Sequence, residues 1–232
     1  MPRSPVQDFP EIFVSTSETA TAVSRAVSQG ELRQIGSKLY TRNLVDPPEQ
    51  IVGRHLWTLV GAYIPGALIA DRTAIENKPA VDGSVFVVSD RKRDIELPGV
   101  TIRTRRGAPP QPTDLPFVGN LFLSSTARAY LDNMAPSRRR GGDVPRTLTR
   151  SEIETHLDTL IRRGGDEAAN RLRDEARRIA PMIGREVECE TLERLIGALL
   201  GTRDEPLVTE GAQARRSGFP FDPERLARFE LL

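Results

Sequence analysis

TSETATAVSRAVSQGELRQIGSKLYTRN, residues 16–43, decides how the rest of the chain is read. Ser17 is placed to cap a helix, because its hydroxyl can accept a bond from an orphan amide, and Glu18 puts negative charge at the positive helix end. Ala22, Val23, Ala26 and Val27 recur at helical spacing and form one narrow apolar stripe. Thr21, Ser24, Arg25 and Ser28 point away from that stripe. Gly30 can take the left-handed conformation that ends a helix. Residues 32–35 and 38–41 are short extended runs on either side of Gly36-Ser37, and Gly first in a two-residue loop suits a type II′ hairpin.

A polar-faced helix, a glycine stop and a hairpin follow the order of a recognition helix and its wing. On that reading Thr21, Ser24, Arg25 and Ser28 face a major groove, while Arg33, Gln34, Lys38 and Arg42 meet phosphates. The plain alternative is an amphipathic helix and an edge hairpin with solvated charges. A complete helix-turn-helix places two helices before the recognition helix. Residues 1–15 are too short and too proline-rich to supply them, so a partial winged helix is expected over residues 1–44.

With 232 residues the chain has room for one or two domains. Hydrophobic residues at 38% and charged residues at 28% suit a soluble globular protein. No apolar run approaches the roughly 20 residues of a membrane span. The polar first ten residues do not read as a secretory signal, so a cytoplasmic location and no membrane partner are expected. A single cysteine, Cys189, excludes an internal disulfide and a cysteine metal cluster. The net charge is +1, so any nucleic-acid contact must come from a local patch.

Onward from Pro47-Pro48, residues 50–63 carry Ile51, Val52, Leu56, Leu59 and Val60 as a helical stripe. Residues 71–76 look like a short capped helix. Strands are expected at 84–89, at 94–97 and 100–105 around Pro98-Gly99, and at 117–124, with a helix at 126–133. Residues 45–135 therefore form a small α+β domain with an antiparallel sheet. Residues 136–148 read as a linker carrying Arg138, Arg139 and Arg140, and residues 149–232 as a helical region. Thr149 and Glu152 make a capping box before Ile153, Leu157, Leu160 and Ile161. Ala169, Leu172, Ala176, Ile179 and Ile183 form a second stripe, and Leu192, Leu195, Ile196, Leu199 and Leu200 a third. A loop is expected over 201–220, then a helix capped by Asp222 with Pro223 at its first position. That helix ends apolar and uncapped at Leu232, which suggests that the natural chain continues or that the helix docks on a partner.

The order of these pieces resembles the AbiEi-type antitoxins of bacterial toxin–antitoxin systems. Residues 30–40 (GELRQIGSKLY) are similar to that family's wing pattern, residues 66–75 (GALIADRTAI) to its strand leading into a capped helix, and residues 123–132 (LSSTARAYLD) to its closing segment. The match covers residues 16–134. It implies a transcriptional regulator that binds duplex DNA, represses its own operon and restrains a toxin. The whole chain also resembles the N-terminal part of certain bacterial Fic-family proteins, through residues 170–180 (NRLRDEARRIA) and 195–204 (LIGALLGTRD). That resemblance implies a target-binding or partner-binding region ahead of an AMP-transferring Fic domain. The Fic signature H-P-F-x-[DE]-G-N-G-R has only Pro116-Phe117-Val118-Gly119-Asn120 as a counterpart, which reads as the start of a strand.

Catalysis has little to stand on. The two histidines, His55 and His156, cannot form a histidine cluster. No G-x-S-x-G, H-E-x-x-H or phosphate-loop pattern occurs. Asp90, Asp94 and Glu96 alternate with cations and read as a salted hairpin rim. Arg103, Arg105 and Arg106, with Arg138, Arg139 and Arg140, form a secondary basic patch that could meet phosphates or an acidic partner. The expectation is a regulatory module without catalytic residues, metal or cofactor.

Overall fold

Alternation along three short strands sets up the N-terminal part. In the computed structural model, which describes residues 9–137 and 144–216, these strands are β1 (Ile12–Val14), β2 (Arg33–Gly36) and β3 (Leu39–Thr41), with helix α1 (Ala20–Ser28) between the first two. They form an antiparallel sheet in the order β1-β3-β2. Successive side chains point to opposite faces of a strand, and both faces are apolar here. Phe13 and Tyr40 face α1, where Val23, Ala26 and Leu32 close a small core. Ile12 and Leu39 face the other way, into the main core. The sheet is thus a middle layer.

Gly30 stops α1 as expected, with φ +73. Its amide donates to the Val27 carbonyl at 3.0 Å and the Glu31 amide to that of Ala26 at 2.9 Å, the paired bonds of a Schellman motif. The helix starts later than Ser17 implies. Thr19 holds the N-cap position without a side-chain cap bond, and its hydroxyl oxygen accepts from the Thr16 amide instead. The hairpin also differs. Gly36 ends β2 after an irregularity in register, and Lys38 in the loop takes the positive φ of +57. A type II′ turn led by Gly36 does not form. Full burial of Leu39 fixes which residue turns inward, and the loop shifts by one position to satisfy it.

The stripe over residues 50–63 folds as two helices, α2 (Pro48–Arg54) and α3 (Leu56–Tyr63), and its five apolar positions are all buried. Next come β4 (Leu68–Ile69), α4 (Asp71–Glu76), β5 (Ser84–Val88), β6 (Ile95–Leu97), β7 (Val100–Arg105), β8 (Leu115–Phe117) and β9 (Leu121–Leu123). The six strands form one sheet in the order β6-β7-β5-β4-β9-β8. It is mixed, not antiparallel throughout, because β5–β7 and β4–β9 are parallel. The loop after β5 carries the chain past the position of β7 to the sheet edge. The Pro98-Gly99 turn, with Gly99 at φ +72, then returns β7 alongside β5. The strand expected over 117–124 is a hairpin instead, turning at Gly119 and Asn120, both at positive φ. Helix α3 lies against this turn so closely that a Cβ on Gly61 would sit 1.7 Å from the Gly119 carbonyl oxygen.

Helix α5 (Thr126–Met134) begins at a Ser125 cap that accepts from the Arg128 amide. Helix α6 (Arg150–Ile183) opens with the capping box of Thr149 and Glu152, and it closes at Gly184. Within it Gly165 has φ 64 and ψ −169, so two helical segments meet there at an angle. Helix α7 (Glu186–Arg216) stays helical through residues 201–216, where a loop was expected. The expected helix from Asp222 lies outside the described residues. Ala127, Tyr130 and Leu131 of α5 share a second core with Leu157, Ile161, Leu172 and Ile179 of α6 and with Leu192 and Ile196 of α7. Packing therefore crosses position 135, just as the main core crosses position 44 through Ile12 and Leu39. Among the described residues no helix is long and apolar enough to cross a membrane.

Candidate nucleic-acid interface

Burial of Val23 and Ala26 against the sheet turns the opposite side of α1 outward, and Thr21, Ser24, Arg25 and Ser28 are all exposed there. Short hydroxyls and one guanidinium let this face approach another surface closely. The Ser28 hydroxyl donates to the Arg25 carbonyl at 2.7 Å. Lys38 is exposed at the hairpin tip, and the tip is anchored because the Tyr63 hydroxyl donates to the Ser37 carbonyl at 2.7 Å. Gln34, opposite Tyr40 in the register, lies on the α1 side of the sheet. Arg42 is exposed, and its Nε donates to the Pro10 carbonyl at 3.3 Å.

Arg33 is not available to phosphates as the sequence suggested. It lies opposite Thr41, on the face turned from α1, and its Nη2 donates to the carbonyls of Asn43 at 3.2 Å and Asp46 at 2.6 Å. It braces a polar junction next to the hairpin. There Glu11 accepts from Asn43 Nδ2 and Arg54 Nη2, each at 2.9 Å, and its other oxygen meets His55 Nε2 at 2.9 Å. The bonds from Asn43, His55 and Arg54 hold the Glu11 carboxyl down at about 2. Arg54, followed by Asn43, lowers Asp46 as well. His55 thus sits in a polar junction between α2 and α3, against Glu11.

Among the described residues, Arg103, Arg105 and Arg106 do not form one basic surface. Arg103 is half-buried and donates to Asp94 Oδ2 at 3.3 Å. Arg105 points inward, with Nε and Nη2 at 2.8 and 3.0 Å from the two oxygens of Asp71 and Nη2 at 3.0 Å from Asp132. It is a structural cation, and the phosphate-binding role expected for it is withdrawn. Arg106 is exposed. Arg138, Arg139 and Arg140 lie outside the described residues.

Arg105 belongs to a buried charge network that periodicity alone does not reveal. Asp71 is wholly buried, also accepts from Arg146 Nη1 at 2.6 Å, and has a positive φ of +54. Burial pushes its carboxyl above the usual range against the pull of Arg105 and Arg146. Arg128, 2% exposed, donates to Asp114 Oδ2 at 2.6 Å and to the Ala108 and Pro109 carbonyls. Arg185 reaches Asp132 at 3.3 Å, and Arg72 pairs with Glu76 and Glu152. The signal in the sequence was Arg128 and Asp132 standing four apart among Ala127, Ala129, Tyr130 and Leu131, an apolar run that leaves them no solvent-facing arc. These pairs join α4, β7 and α5 to the helices. A cavity of about 350 Å³ between α5, α6 and α7, floored by Leu148, Ile153 and Leu195, includes none of the network's carboxylates. The network acts as a clamp between α4, β7, α5 and the C-terminal helices.

No family model, curated protein or solved structure matches the chain.

Proposed function

We propose that the chain is an antitoxin-type regulatory module that binds duplex DNA through α1 and the β2–β3 wing, represses its own operon and restrains a toxin partner. One observation carries the reading. The exposed polar face of α1 and the anchored basic tip of the hairpin belong to a single sheet-backed unit. A helix of this kind can enter a major groove while the hairpin meets the flanking backbone. Arg25, Lys38 and Arg42 supply its exposed cations. If each neutralises one phosphate, the slope of log K against log salt is about −2.7. Raising salt from about 50 to 200 mM then costs about fortyfold in affinity.

The test is a fluorescence-anisotropy titration of the full chain on the duplex upstream of its own gene. Binding at low salt with a slope at least that steep, weakened in Arg25→Gln, is expected. Absence of a complex at low salt refutes the DNA assignment. Restraint of a toxin follows from the resemblance of residues 16–134, and co-expression with the adjacent gene product tests it through rescue of growth.

A further inference from the structure

The loop between β5 and β6 carries Arg91, Lys92 and Arg93, all exposed. Its sequence alternates in sign and reads as self-neutralising, but the structure breaks that pairing. Asp94 turns back to the sheet, with Oδ1 accepting from the Thr104 amide at 2.9 Å and Oδ2 from Arg103 at 3.3 Å. Arg91 Nε donates to the Arg93 carbonyl and the Arg91 amide to the Ser89 hydroxyl oxygen, which hold the loop in shape without neutralising it. Asp90 and Asp94 are the exposed carboxylates of the loop, and Asp94 is engaged by Arg103 and the Thr104 amide.

The loop leads into β6, and strand β2 of the wing packs against β6. Tyr63, which holds Ser37 at the wing tip, has its pKa raised by burial, and the charge of Arg91 pulls the other way. Lys38 follows Ser37 directly. Four exposed cations in two separate loops thus flank the contact between the wing and β6, in a chain whose net charge is only +1.

We propose that Arg91, Lys92, Arg93 and Lys38 form one basic edge that takes the phosphate backbone of duplex DNA beside the groove entered by α1. This rests on the DNA-binding reading and extends its footprint from the hairpin onto the six-stranded sheet. Duplex DNA offers a phosphate charge about every 1.7 Å along its axis, so an extended row of cations suits it better than a single bound anion.

The experiment compares salt dependence on the same upstream duplex for the wild type, Lys92→Gln/Arg93→Gln and Arg25→Gln. The double variant keeps the Arg91 bond to the Arg93 carbonyl, and its unfolding midpoint should match the wild type. Its slope should be shallower by about 1.8, with affinity at ~0.1 M salt down about sixtyfold. If the double variant unfolds early, Lys92→Gln alone should flatten the slope by about 0.9. Wild-type slope and affinity in the loop variants, alongside weakened Arg25→Gln, overturn the proposal, leave the α1 reading intact and assign the edge to an acidic protein face. Failure of the wild type itself to bind overturns both.

Discussion

Replacing Gly165 with alanine should destabilise the protein, although the residue lies inside a long helix. In a continuous helix the change would add about 0.5–1 kcal/mol of stability, because alanine is the better helix former. Gly165 has φ 64 and ψ −169, however, a region open almost solely to glycine, and a side chain there costs about 1–3 kcal/mol. No atom lies within 4 Å of a Cβ built on it, so the cost is entirely backbone conformation. Reduced freedom of the unfolded chain offsets about 0.4–1 kcal/mol. The net loss is about 1–2 kcal/mol, which for a protein of this size lowers Tm by roughly 5 °C. Gly197→Ala in α7 is the matched control. It too has open space around a built Cβ, and its φ is not positive. That variant should raise Tm by about 2 °C. Thermal unfolding followed by far-UV circular dichroism distinguishes the signs. A Gly165→Ala protein that melts above the wild type, as Gly197→Ala should, would mean that α6 is unbroken.

Three further outcomes follow from named contacts. Gly61→Ala forces a methyl into the Gly119 carbonyl, and urea unfolding should show a loss of about 3 kcal/mol from displacement of the β8–β9 turn. Arg128→Met leaves Asp114 buried without its cation and should cost about 3–5 kcal/mol, with much of that recovered when Asp114→Asn is added; equal instability of the double variant would contradict the pairing. Glu11 titrates at about 2 when folded against 4.5 ordinarily. Its ionised form therefore stabilises the fold fully above pH 4.5, and the contribution fades as pH falls towards 2. In urea-midpoint measurements across that window Glu11→Gln should show a flatter pH dependence than the wild type.

Much of the fold is legible where one residue type admits one conformation. Gly30, Gly99, Gly184 and the Thr149–Glu152 box mark real ends because their chemistry is local. The apolar stripes of α2, α3, α6 and α7 are legible for the same reason, since burial repeats with the helical period. What escaped depends on distant partners. The parallel pairing of β5 with β7 is set by a loop that passes over a neighbouring strand, and no local pattern encodes which neighbour is skipped. The start of the hairpin loop moved from Gly36 to Ser37 because Leu39 had a distant core to fill. At the candidate interface, the exposure of Thr21, Ser24, Arg25 and Ser28 was readable from phase. The inward turn of Arg33 and Arg105 was not, because their acceptors lie elsewhere in the chain. The exposed cations of residues 91–93 were hidden by an assumed neighbour pairing that Asp94 forgoes for Arg103 and Thr104.

Helix α5 is made before the helices that cover it. On a ribosome, the sheet and α5 emerge first, with Ala127, Tyr130 and Leu131 facing outward until α6 and α7 are synthesised. For that interval the nascent chain carries a sticky apolar strip, and early termination near the linker would leave it permanently uncovered. A fragment ending at residue 137 should therefore aggregate or recruit chaperones, whereas one ending at residue 201 retains the covering segments. Truncation at the middle of the chain thus exposes an apolar strip that α6 and α7 otherwise cover.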